Sequence, residues 1–285
     1  MGVGDVAQIE MSTRLRSGMG QLRLMLEIAR RSFRRTSSYR LATASGLFVN
    51  TVFGYLRASV LVFVATTSGG AVRGLTAEDL ATFAFISQGL IMVVGVFGDT
   101  ELSDRIKNGD VVVDLYRPAD LQLWWLATWL GKSAFYVLAR GIPPMILGAI
   151  AFDLSWPDHW WQWLAFALSV TVACVVGFAV RFCSAIVTFW LLDSRGIDQA
   201  VTFTIGFFAG MLLPISLFPS QVESVARMLP FASMVQLPAE LFLGVHEPSA
   251  IVWTLAQQII WAAVLLLAGR MMLVSATRKV VIQGG

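Results

Sequence analysis

Charge is absent from four long stretches of this sequence: Leu80–Gly98, Trp160–Val180, Ala200–Phe218 and Ala250–Gly269. A helix that is apolar all round must be buried all round, and each stretch approaches the roughly 20 residues that cross a bilayer core. A soluble domain is thereby excluded, in keeping with a chain that is 56% hydrophobic and only 14% charged. Cysteine is nearly as scarce. Cys174 and Cys183 fall in one apolar run without a CxxC partner, so they support neither a metal site nor a disulfide framework. The two histidines, His159 and His246, read as isolated loop residues without metal-ligand company. No Asp or Glu falls within a span core, which argues against a carrier that binds protons or sodium through intramembrane carboxylates. The N-terminus lacks a short apolar core with a small-residue cleavage site, so the first span is expected to insert uncleaved.

Two further spans carry charge. One runs from about Leu41 to Thr67 with Arg57 inside it; the other lies within Leu121–Phe152 and is interrupted by Lys132 and Arg140. The second stretch is longer than one core-spanning helix needs, and Trp124, Trp125 and Trp129 mark its entry at headgroup level. Six spans place Arg105, Lys107, Arg117, Arg195, Arg270, Arg278 and Lys279 on one side, together with the eight arginines before the first span. The other side carries only Arg73 and Arg227. The positive-inside rule then puts both termini in the cytoplasm.

Before the first span, Leu15, Met19, Leu22, Leu26, Ala29 and Phe33 recur in steps of four and three, one apolar stripe on a helix. Arg16, Arg23, Arg30 and Arg34 fall off that stripe. A basic amphipathic helix of this kind lies in the membrane interface with its arginines on anionic headgroups. Nucleic acid is the rival partner of a basic run, and direct continuation into a span argues against it.

Motifs for catalysis are missing. Gly131-Lys132-Ser133 resembles the end of a P-loop, but Leu126 stands where the first glycine belongs and no strand precedes it. Asp99 has no second membrane aspartate with which to form a dyad. An enzyme is therefore not expected. The groups that remain inside spans are Asn50, Arg57, Gln88, Arg140 and Arg181, candidates to line a polar substrate path; the bland role for each arginine is snorkelling or capping a helix end. Gly206 and Gly210 form a GxxxG, and Ala173 and Gly177 repeat the spacing; both suit close helix packing, within the chain or between copies.

Two connecting segments stand out. In 99–122, Asp99 or Thr100 can cap a short helix, Leu102 and Ile106 share one face, and Asn108-Gly109 supplies a stop. Asp99, Glu101, Asp104, Asp110, Asp114 and Asp120 outnumber Arg105, Lys107 and Arg117. An acidic helix with an apolar stripe is not drawn to anionic lipid and reads as a protein-docking element. In 214–245, Pro219, Pro230 and Pro238 break an apolar stretch into short pieces, as in a re-entrant or interfacial hairpin at the outer leaflet.

The segment Arg105–Pro118, RIKNGDVVVDLYRP, resembles the cytoplasmic loop of bacterial type-2 ABC export permeases, in the subfamily whose loops read roughly I-x-x-G-x-x-x-x-x-L-x-R-P. Ile106, Gly109, Leu115, Arg117 and Pro118 carry the match, and the layout of spans extends it along the whole chain. The resemblance implies an all-α integral membrane fold. It has six transmembrane helices (41–274), an N-terminal amphipathic elbow helix within 1–40 (Arg14–Arg35), a coupling helix at Asp99–Asn108, an outer hairpin before span six and a cytoplasmic tail at 275–285. It implies a permease subunit in the bacterial cytoplasmic membrane that exports a hydrophobic or amphipathic substrate. Such a subunit binds no cofactor itself and pairs with an identical or homologous permease. It rests Asp99, Glu101, Leu102, Arg105, Ile106, Gly109, Arg117 and Pro118 on an ATPase dimer that holds ATP and Mg. The alternative is a stand-alone membrane channel or secondary carrier, which has no need of an ATPase dock.

Overall fold

The computed structural model describes residues 3–117, 119–191 and 195–283. Apart from a two-stranded β-hairpin the described elements are helices. In chain order they are α1 (Val3–Ser37), α2 (Arg40–Thr67), β1 (Ala71–Val72), β2 (Leu75–Thr76), α3 (Ala77–Val93), α4 (Glu101–Lys107), α5 (Val111–Leu115), α6 (Leu121–Tyr136), a π-helical turn (Val137–Gly141), α7 (Ile142–Ala151), α8 (Trp160–Val187), α9 (Arg195–Phe208), α10 (Ser220–Met228), α11 (Gln236–Leu243) and α12 (Pro248–Gln283). Short 3-10 turns at Ile215–Leu217 and Pro230–Ser233 flank α10.

Among the described residues, four helical stretches are long and apolar enough to cross a membrane: Arg40–Thr67, Leu121–Ala151, Trp160–Val187 and Pro248–Arg278. Two of the uncharged runs are not helical throughout. The run at Leu80–Gly98 is helical only to Val93, where the backbone turns at Gly95 with φ +67°. The run at Ala200–Phe218 ends as helix at Phe208, and Gly210 at φ +77° breaks the chain direction. Composition alone could not show these stops, because the residues beyond them are as apolar as those before. At about 1.5 Å per residue, α9 is only ~21 Å long, short of a bilayer core. Within the predicted tail at 275–285, the described residues to Gln283 continue the last span as part of α12.

α3 is the centre of the molecule: thirteen of its 17 residues are buried. Thr76 and Asp79 cap it reciprocally, and Asp79 also accepts a bond from Ser155 at 2.7 Å, tying the 152–159 segment to the β-hairpin end. α2 packs along one side of α3; α8 and α12 pair on the other, with α11 wedged between α8 and α3. α6 continues through the π-helical turn into α7, where Pro143 and Pro144 sit in the first helical turn and forfeit little backbone bonding. α1 lies along α6. Ser32 donates to the Thr128 carbonyl at 2.6 Å, Phe33 meets Phe135 edge-on, and a Cβ at Gly131 would stand 2.2 Å from the Ala29 carbonyl oxygen. Leu22 and Leu26 of the sequence-predicted stripe stay exposed, while Ile28 and Ser32 are buried.

Ion pairs collect at the two ends of the bundle. One end carries α4, α5 and Lys132; the opposite, hairpin end carries Arg73, Glu223, Arg227, Glu240 and His246.

Candidate coupling loop and intramembrane arginines

Within 99–117, five charged residues, Asp99, Glu101, Arg105, Asp114 and Arg117, are held in ion pairs. Arg105 grips Asp114 from two nitrogens, at 2.6 and 3.0 Å, and donates to the Asp110 carbonyl at 3.3 Å. Arg117 reaches Asp114 at 3.1 Å and lies over the Trp124 ring at 4.7 Å. Asp114 itself is only 3% exposed. Gly109, at φ +79°, allows the reversal that brings α5 back to α4. On the other side of α4, Lys132 pairs with Asp99 and, at 3.0 Å, with Glu101, which also accepts from Arg35 at 3.0 Å. Burial alone would push the Glu101 carboxyl up; Lys132 and Arg35 outweigh it and hold it below its ordinary range.

Leu102 and Ile106 are turned inward. They are buried with Val111 against Trp125, Phe178, Phe182, Ile186 and Leu273. The stripe that reads as a docking face in the sequence is thus a wedge onto α8, and burying two such side chains stabilises by about 1.5–3 kcal/mol each. The apolar side chains left outside are on α5 and just beyond it: Val112, Val113 at 61% exposure and Tyr116 at 85%. Nothing in the spacing marked them, because three consecutive valines carry no helical period. Pro118 lies outside the described residues.

The five sequence-predicted path residues fall into three groups. Arg140 donates to the Ala42 carbonyl at 2.6 Å and sits over the Tyr136 ring, and Asn50 approaches the Arg140 carbonyl at 3.5 Å. Arg57 contacts Gln88 at 3.4 Å and the Leu212 carbonyl at 3.3 Å. Arg181 is 5% exposed and donates to the carbonyls of Gly95, at 3.0 Å, and Val96, which end α3, and to Thr202 at 2.9 Å. All three arginines therefore satisfy backbone carbonyls near helix ends. Arg181, Thr202, Gly206 and Leu212 border a cavity of about 590 Å³ between the 96–100 segment and α9.

Residues 53–284 match a family model described as "ABC-2 family transporter protein". The chain belongs to the ABC-2 transporter family. No curated protein and no solved structure matches it. The family is the membrane permease component of ABC transporters, so this is a multi-pass membrane protein and a transport subunit. The matched span takes in the whole 99–117 segment and, apart from Arg35, both groups of ion pairs.

Two residues of this ABC-2 permease carry more than their sequence context suggests. One is Asp114, one of six acids in its loop and buried at the centre of the clamp. The other is Glu240, 3% exposed at the hairpin end. It accepts from Arg227 at 2.7 and 3.1 Å and from Gln236 at 2.8 Å, and faces His246 at 3.0 Å, so His246 is not isolated. Burial alone would raise the Glu240 carboxyl; the hydrogen bonds from His246, Arg227 and Gln236 outweigh it and hold it down to about 2. Gln236 extends this network into the break after α9, donating its backbone N–H to Ala209 and accepting from the Ile215 N–H. Among the described residues no cluster of His, Cys, Asp or Glu suits a metal ion.

Proposed function

We propose that the protein is the permease half of an ATP-driven exporter, and that α4 and α5 form the surface on which a separate ATPase subunit rests. The observation that carries this reading is the contrast within one short loop. Asp99, Glu101, Arg105, Asp114 and Arg117 are held in ion pairs and the Leu102–Ile106 face is buried, which braces the loop, while Val112, Val113 and Tyr116 project as an apolar knob. A braced loop wedged on α8 can pass a push on the knob into the bundle, and nucleotide binding in the partner would shift the balance between two packings of the spans.

In this reading α3 and α9, with the non-helical segments that complete them, join the four longer helices to make six spans. Both termini and the knob face the cytoplasm of a bacterial cell, α1 lies in the interface as the elbow, and 214–245 forms the outer hairpin. ATP and Mg belong to the ATPase dimer. A second permease, identical or homologous, completes the pathway for a hydrophobic or amphipathic substrate. The cavity beside α9 is our candidate for the path, because Arg181 borders it and Arg57 reaches its rim through Leu212. Asn50 and Arg140 instead tie α2 to the π-helical turn.

Affinity purification in mild detergent tests the partnership. The wild-type chain should bring down an ATPase with the ABC signature, and Val113→Asp with Tyr116→Asp should release it without altering Tm. Uphill accumulation of a substrate by this subunit alone in sealed vesicles would overturn the reading.

A further inference from the structure

We propose that a groove between α3, α7 and α8 binds a single acyl chain of a membrane lipid, entered from the leaflet at the hairpin end. The groove has a volume of about 560 Å³ and runs between α3, the π-helical turn, α7 and α8. That lies within the ~300–1,000 Å³ of small-molecule sites. Its walls hold no charged residue. The Thr171 hydroxyl that lines it already donates to the Ala167 carbonyl at 2.8 Å. Nothing there orients a peptide or an ionised solute, whereas a methylene chain needs no polar partner.

The concavity comes from backbone features. Gly89 and Gly141 meet at the floor, where a Cβ on Gly89 would stand 3.1 Å from the Gly141 Cα. That contact lets α3 and the π-helical turn pack closely, and Ile142, Met145 and Ile146 of α7 form the adjoining wall. Two of the walls, Leu121–Ala151 and Trp160–Val187, are helices long and apolar enough to span, so what fills the groove comes from the bilayer. Its direction follows from the aromatics. Trp156 and Trp163 stack at 6.1 Å and 20°, and Phe242 meets Trp163 edge-on at 5.3 Å. Trp156 lies in the 152–159 connection and Trp163 in the first turn of α8 beside it, where indoles prefer headgroup level, so the lipid head would lie there and the tail would run toward Val93 and Val137.

Because a tail leaves one apolar medium for another, transfer from water contributes nothing; dispersion against a shaped wall holds it. The bound chain should therefore be selected by length and straightness rather than by head charge.

The test uses the full chain from nanodiscs of palmitoyl-oleoyl phosphatidylcholine, released into the gas phase for native mass spectrometry. Wild type should keep one phospholipid that Ala167→Trp loses, and Thr171→Phe should lose it too; both positions are exposed in the groove rather than packed. Ile260→Trp, on an exposed face of α12, should leave retention unchanged. Equal retention by both groove variants with wild-type Tm, or equal loss by Ile260→Trp, overturns the proposal. Because no ATPase is present, its failure leaves the transport reading untouched.

Discussion

Arg105 closes on Asp114 across the Gly109 turn, Nε to Oδ2 at 2.6 Å and Nη2 to Oδ1 at 3.0 Å. Asp114 is buried and both its partners are half-exposed, so the pair sets the shape of the loop more than it holds the bundle together. Asp114→Ala leaves two arginines without their acceptor. It should cost about 1–3 kcal/mol locally and lower ATPase binding, with faster proteolysis within 99–117. Val113→Asp should lower binding with unchanged proteolysis. If both variants change proteolysis alike, the clamp and the knob are not separable.

Arg181 caps the end of α3 from within α8. Arg181→Met would strand the Gly95 and Val96 carbonyls, each at about 1–3 kcal/mol. Tm in detergent should fall, and transport should fall in parallel. Unchanged melting with abolished transport would make Arg181 a path residue instead of a cap.

The two small-residue motifs should behave oppositely. A Cβ at Gly177 would lie 2.2 Å from the Val94 carbonyl oxygen, in rigid backbone. Gly177→Ala should destabilise by about 1–3 kcal/mol. A Cβ at Gly206 meets nothing within 4 Å, so Gly206→Ala should hold or slightly raise Tm through helix propensity. A large loss at Gly206 would instead mark it as the contact face of a second copy.

Glu240 makes the stability of the hairpin end depend on pH. Its folded value is depressed from 4.5 to about 2, so its contribution is complete above about pH 4.5 and is lost as pH falls toward 2. The contribution is on the order of 3 kcal/mol. Melting followed between pH 6 and 2.5 should fall over this window in the wild type and less in Glu240→Gln. Parallel curves would remove the network from the account.

Much of the architecture was legible because bilayer crossing is a length-and-composition constraint. The apolar runs, a helix ahead of the first span, the proline-broken 214–245 and the 99–122 loop could all be read from residue order. The helix stops at Val93 and Phe208 were not, since Gly95 and Gly210 lie among residues as apolar as the helices they end. The loop motif was recognisable as a string, but which of its side chains are buried was not. Leu102 and Ile106 fit a docking face by spacing and pack inward, while Val112, Val113 and Tyr116 carry no period and stand outside.

Sequence by itself determined that this chain lives in a membrane and where its polar breaks fall, because the cost of placing charge in hydrocarbon acts on each residue separately. Only tertiary structure decided which charges are spent on one another. Whether Arg181 caps a helix or lines a path, and whether Asp114 faces solvent or a guanidinium, depends on which carbonyls and carboxylates lie within about 3 Å, and folding alone brings those partners together from distant parts of the chain.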